Sequence, residues 1–342
     1  MKKNLIIVFA FSLLIFGFKC KEYESLVPSY FPKPAYNFKE NPLDSNKIKI
    51  GRALFYDPIL SKDNTISCSS CHSPYNAFAH TDHDLSHGIY DSIGTRNAPA
   101  LFNLAWQSSF MWDGAINHLD MQALAPINHK GEMAETTKSV VKKLNQSFIY
   151  PNLFETAFGT KTITGELMLK AITQFQLTLI STTSKYDQVK KGILKFTSQE
   201  QNGYELFKIN CNSCHVEPLF SNYKFANNGL PIDSSLSDYG KGQITNKKSD
   251  SLFFKIPSLR NLSYSYPYMH DGRFKKLKEV LNHYTEGIQS NPTLSKELKG
   301  GVILTTNEKV DLIAFLKTLN DKTFVFDSKH QFPKSILLPK KD

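Results

Sequence analysis

One five-letter pattern occurs twice in this chain of 342 residues: Cys68-Ser69-Ser70-Cys71-His72 and Cys211-Asn212-Ser213-Cys214-His215. In C-x-x-C-H the two thiols add covalently to porphyrin vinyl groups, and the adjacent histidine lies under the iron as its proximal ligand. A single copy could be chance or a thiol-redox site; two copies, each with its histidine, are not. A Cys-rich zinc site built from both pairs would need segments far apart in sequence to meet. Two covalently bound haem c groups are therefore expected. The length then suggests two domains, each large enough for its own core.

Four of the five cysteines belong to these motifs, so no structural disulfide is available. The fifth, Cys20, ends a leader in which Lys2 and Lys3 precede an apolar stretch, 5–18, of signal-peptide length and too short to span a bilayer. A signal peptide at 1–19 and a periplasmic protein follow. Two outcomes are open for Cys20: lipidation as the first residue of a membrane-tethered lipoprotein, or a cleaved soluble form. Lys19 and Phe18 stand where lipoprotein signals usually carry small residues. The formal charge of +10 includes the leader lysines and omits the haem propionates. Lysine pairs at 190–191, 247–248, 275–276 and 340–341 are scattered and read as solvated surface. No basic stripe interleaved with aromatics and no nucleic-acid motif appears, so no nucleic-acid partner is expected.

Residues 20–39, rich in Pro, Tyr and Lys, read as an extended tether. A helix is expected through Ile48 and Leu54, stopped by Asp57-Pro58. Polar residues without a clear period follow the first motif, ending at Arg96-Asn97-Ala98-Pro99. Leu167, Ala171, Phe175 and Leu179 keep the i, i+4 spacing of one helix face. Ser198 with Gln201, and Thr305 with Glu308, read as capping boxes. Strand signals are sparse. The expected fold is mainly α: two homologous cytochrome c-like haem domains with long loops, at 40–190 and 195–322, and a tail at 323–342.

The halves repeat each other beyond the motifs. Gly51-x-x-Leu54-Phe55 precedes the first motif and Gly203-x-x-Leu206-Phe207 the second. Pro99-x-Leu101-x-Asn103-Leu104 leads to Met111-Trp112-Asp113-Gly114; Pro257-x-Leu259-x-Asn261-Leu262 leads to Met269-His270-Asp271-Gly272. At one matched point the second half has Tyr284 and the first has Pro126. A tyrosine oxygen can ligate iron and a proline side chain cannot. That asymmetry suits one open iron for peroxide and one capped iron that holds or passes an electron.

With these motifs the sequence resembles the bacterial di-haem cytochrome c peroxidase family, and its MauG-like branch in particular, over about residues 40–322. The resemblance implies a peroxidatic haem held by Cys68, Cys71 and His72, and an electron-transfer haem held by Cys211, Cys214 and His215. It implies that Trp112 lies between the haems, with His270 a structural counterpart. It places Gln122, Pro126 and Glu132 over the peroxidatic iron, Glu132 being the acid–base residue that moves a proton between peroxide oxygens. Tyr284 matches the branch's axial tyrosine, with Met269 or His283 as alternatives; an oxygen ligand favours the higher oxidation states of iron. Other members place a removable histidine ligand shortly before the Arg-Asn-Ala-Pro segment. His87 lies near that place with His80 and His83 as competitors, although the MauG-like branch usually has none. Calcium is implied between the domains, at the Asn97 side chain and the carbonyls of Ser265 and Pro267.

The activity implied is reduction of hydrogen peroxide with electrons from a small periplasmic donor, a cytochrome c or cupredoxin. The alternatives are a MauG-like enzyme oxidising side chains of a protein substrate, and a non-catalytic di-haem electron carrier. Homodimer formation is left open.

Overall fold

The computed structural model describes residues 27–338; the leader, with Cys20, lies outside them. The protein is mainly helical, with 43% helix. Among the described residues strand is confined to β1 (Phe225–Ala226) and β2 (Phe254–Lys255), an antiparallel pair. No described helix is long and apolar enough to cross a membrane.

The longer helices are α1 (Ser45–Tyr56), α2 (Thr137–Gln146), α3 (Tyr150–Phe158), α4 (Gly165–Leu177), α5 (Ser198–Asn210), α6 (Leu277–Asn282) and α7 (Thr306–Lys317). The Asp44 side chain caps α1 by accepting from the Asn46 and Lys47 N–H groups. The helix ends at Asp57, which is extended because Pro58 excludes the helical conformation before it. Helix α4 is buried far more widely than one stripe, with Met168, Leu169, Ile172 and Gln174 enclosed beside Ala171 and Phe175, and Leu179 lies beyond its end. Helix α7 opens on the expected box of Thr305 and Glu308. Helix α5 corrects the other box by one residue. Its cap is Thr197, whose N–H donates to Glu200 Oε2 at 2.7 Å while its hydroxyl accepts from the Glu200 N–H at 3.2 Å. A carboxylate accepts more strongly than an amide and suits the helix N-terminus, so Glu200 takes the place expected of Gln201.

The repeat is visible in three dimensions. Helix α1 crosses α4 at Gly51, where a Cβ would lie 1.9 Å from the Ala171 carbonyl oxygen and 3.1 Å from Phe175 Cβ. Helix α5 crosses α7 at Gly203, where a Cβ would lie 2.0 Å from the Asp311 oxygen and 2.9 Å from Phe315 Cβ. Beyond the crossings, the Asn103 N–H donates to Leu179 O and its Oδ1 accepts from the Ser181 N–H. Asn261 makes the same two bonds, to Leu319 O and from the Asp321 N–H. Met111 and Met269 share a left-handed φ of 67° and 73°. Their turns are closed by the Phe110 N–H to Ile116 O and the Tyr268 N–H to Phe274 O.

The two halves meet through a reciprocal pair of backbone bonds. The Asn97 N–H donates to His270 O and the Lys255 N–H to Trp112 O, each at 2.7 Å. In the repeat Asn97 matches Lys255 and Trp112 matches His270, so one pairing occurs twice, in the manner of an isologous contact. Arg96 adds an ionic clamp, reaching Asp238 with two nitrogens (2.6 and 2.8 Å) and Asp113 with a third (2.6 Å). Outside the ranges expected for the two domains, Phe31, Phe324 and Val325 join the core that holds Phe55, Phe78 and Phe175. The Tyr56 hydroxyl donates to His330 O at 2.5 Å. The described residues before 40 and after 322 thus pack onto the first half.

Candidate functional site

Both motifs open on one cavity of about 580 Å3. From the first half it is lined by Cys71, His72, Trp112, Gln122, Pro126 and Glu132; from the second by Cys211, Cys214, His215 and Tyr284. Cys68 stands one helical turn from Cys71 on Cys68–Cys71, and all four thiols are unbridged. Burial pushes Cys68 and Cys211 up to about 12 and Cys71 up to about 11.

Each motif histidine is oriented by its own backbone partner. The Phe78 carbonyl accepts from His72 Nδ1 at 2.8 Å; the Pro257 carbonyl lies 3.1 Å from His215 Nδ1 and the Phe220 carbonyl 3.3 Å. A proton held on Nδ1 leaves Nε2 as the ligating atom, the usual arrangement for a metal-bound imidazole. Burial drives both rings down to about 4, so they are neutral at pH 7. Tyr223 also lines the cavity, and its buried hydroxyl has no hydrogen-bond partner among the described residues. Paired thiols and neutral imidazoles around a large void fit two haems.

The ends of the cavity differ. At the first, Glu132 is raised above the ordinary carboxyl range by burial, with the His129 ring 3.5 Å away pulling the other way. Gln122 accepts at its Oε1 from Gln176 Nε2 at 2.8 Å. The polypeptide around Glu132 is tightly held: a Cβ on Gly88 would lie 2.0 Å from Gly131 O, and the Ile89 N–H donates to Glu132 O at 2.7 Å. At the second end Tyr284 sits on a π-helical turn, His283–Gly287, and burial pushes its hydroxyl up to about 12. Single π turns inside helices often mark functional positions. Of the alternatives, Met269 lines the cavity and its sulfur accepts from Asn228 Nδ2 at 3.6 Å. His283 is outside the lining and is engaged at Nε2 with Asn228 O.

Trp112 is fixed between the halves, its Nε1 donating to Asn97 O at 2.8 Å. Asn97 Nδ2 donates to Pro267 O at 2.6 Å, and its Oδ1 is buried with no donor among the described residues. Ser265 and Pro267 line the same cavity as Asn97. His270, the counterpart of Trp112, stacks on Phe254 at 3.7 Å. His87 lies outside the cavity lining; its Nδ1 meets Asp91 Oδ1 at 2.9 Å and its ring stacks on His83 at 4.1 Å. The sequence reading missed Gln176, Asp238 and Lys255. Asp238 stands in a segment without a recognisable pattern and Gln176 lies off the apolar face by which its helix was recognised, whereas Lys255 could have been found as the repeat partner of Asn97.

The family model described as di-haem cytochrome c peroxidase matches residues 45–195. The methylamine utilization protein MauG of Methylorubrum extorquens is 34% identical over 304 residues, covering 85% of this chain and 82% of that protein. The cytochrome c551 peroxidase of Nitrosomonas europaea is 33% identical over 293 residues, 81% of each chain. A solved MauG-like protein, described as associated with microbial copper homeostasis, superposes with a TM-score of 0.79 at 31% identity, covering 90% of this chain and 98% of the other. With its paired attachment motifs on one cavity and this degree of likeness, the chain belongs to the di-haem cytochrome c peroxidase/MauG family.

Proposed function

We propose that this protein is a periplasmic peroxidase that reduces hydrogen peroxide to water beside Cys68, Cys71 and His72. Cys211, Cys214 and His215 would hold a second haem, whose chemistry would be electron transfer from a small donor protein, a cytochrome c or cupredoxin. The observation that carries this reading is the asymmetry of the cavity: Pro126 with Gln122 and Glu132 at one end, Tyr284 at the other. Haem, when bound, supplies the redox chemistry. Glu132, raised by burial, holds and moves the proton between the peroxide oxygens. Gln122 is engaged at Oε1 by Gln176, which leaves its amide N–H groups to donate to a peroxide oxygen. Pro126 offers no ligand atom, whereas Tyr284 would offer its oxygen to a haem held at Cys211, Cys214 and His215. Trp112 joins the two sites. Asn97 Oδ1 with the Ser265 and Pro267 carbonyls would make an all-oxygen set suited to Ca2+ once the Asn97 amide turns, since its Nδ2 now donates to Pro267 O.

Tyr284 also favours a second reading. An oxygen ligand disfavours the reduced iron, so oxidation of a protein side chain, as the likeness to MauG suggests, competes with peroxide disposal. The identities to MauG and to the cytochrome peroxidase, 34% and 33%, do not separate the two.

The test is rapid mixing of the haem-loaded protein with peroxide, with and without reduced cytochrome c. Glu132→Gln is expected to slow the peroxide reaction by about 10²–10⁴-fold. Steady cytochrome turnover supports the first reading; reaction with peroxide but no turnover supports the second. No reaction at all leaves an electron carrier.

A further inference from the structure

Two cationic side chains line the cavity, Arg96 and Lys255, and they are treated differently. Arg96 is matched by Asp113 and Asp238. Lys255 Nζ donates only to neutral acceptors, Gln107 Oε1 at 2.7 Å and Ser109 O at 2.9 Å, and pairs with no carboxylate among the described residues. Burial pushes the amine down to about 7, partly countered by Asp113, the titratable group that acts on it across the junction and is itself tied to Arg96. An ammonium is strongly hydrated, and burying one without an anion is costly. Tyr223 also lines this cavity, although its hydroxyl oxygen is buried away from the open space and has no partner among the described residues.

The occupant of such a cavity must bring the acceptors. Each haem carries two propionate carboxylates, and Lys255 is a cation on this cavity with no carboxylate of its own among the described residues. Lys255 stands at the junction of the halves, its backbone N–H on Trp112 O, where the first half presents the neutral Asn97.

We propose that Lys255 is the counter-ion of a haem propionate at this junction, so that its charge raises the reduction potential of that haem. This rests on the di-haem reading of the cavity and not on peroxide chemistry.

The experiment is a potentiometric titration of both haems, followed by absorbance, in haem-loaded wild type, Lys255→Met and Lys255→Arg, with haem content measured separately. In Lys255→Met one midpoint falls below wild type and rises again as pH falls, because an unpaired propionate takes a proton. Lys255→Arg stays close to wild type. The wild-type midpoints hold level over about pH 6–8, since a paired lysine remains cationic. Unchanged midpoints in Lys255→Met overturn the proposal. So does a wild-type midpoint that titrates near neutrality, a result that decides the matter even if Lys255→Met fails to retain haem. Peroxide turnover on the same samples reports on the peroxidase reading separately.

Discussion

Replacing Gly51 by alanine tests whether the paired helix crossing is what builds each half. The new Cβ would stand 1.9 Å from the Ala171 oxygen and 2.8 Å from its carbonyl carbon. An ordinary C···O contact is about 3.3–3.6 Å, so the helices must part by roughly 1.4–1.7 Å at this point. The obstacle is backbone inside α4, which cannot rotate aside as a side chain could. Overpacking of this kind costs about 1–3 kcal/mol, occasionally more, and a clash with backbone belongs at or above the upper end. Alanine's better helix propensity returns about 1 kcal/mol. The expected net loss is about 2 kcal/mol, or roughly 4–8 °C in Tm. Gly203→Ala, with its Cβ 2.0 Å from Asp311 O, should cost as much. Thermal unfolding by circular dichroism at matched haem content is the assay. If either variant melts at or above the wild-type temperature, the close crossing is not what builds each half.

Arg260 and Asp187 form a wholly buried ion pair at 2.7 and 2.8 Å. Arg260→Met, which strands the carboxylate, should cost about 3–5 kcal/mol in denaturant unfolding. Burial alone would raise Asp187, but the Arg260 bonds and charge outweigh it and its pKa lies below the ordinary carboxyl value. A depressed folded-state pKa gives stability that is present above the unfolded value and lost as pH falls through the folded one. Acid titration should therefore destabilise wild type through a step that Asp187→Asn lacks. Removal of calcium by a chelator should disturb the spectra of both haems and be reversed by Ca2+ but not by Mg2+; spectra indifferent to chelation would count against the Asn97 site.

The sequence carried the cavity further than it carried the architecture. Covalent haem attachment needs fixed local spacing, so both motifs were legible. The internal repeat was legible because helix crossings and turns demand particular residues, Gly51 and Gly203, Asn103 and Asn261. What pattern did not disclose is contact between remote segments. Gln176 reaches Gln122 from α4, Asp238 reaches Arg96 from the other half, and Phe324 enters the first core from the far end of the chain. None has a local signature, since each depends on where the chain returns in space. The capping box at Thr197 slipped by one residue because adjacent Thr197 and Ser198 each have a polar residue three positions on, and only packing chooses between them.

The central claim is that the first haem keeps a coordination position open while Tyr284 closes the second. Electron paramagnetic resonance of the ferric, haem-loaded protein measures this at both irons. One high-spin and one low-spin signal are predicted, with only the low-spin signal altered by Tyr284→Phe. Two low-spin signals that persist after reduction and on addition of peroxide would contradict the account.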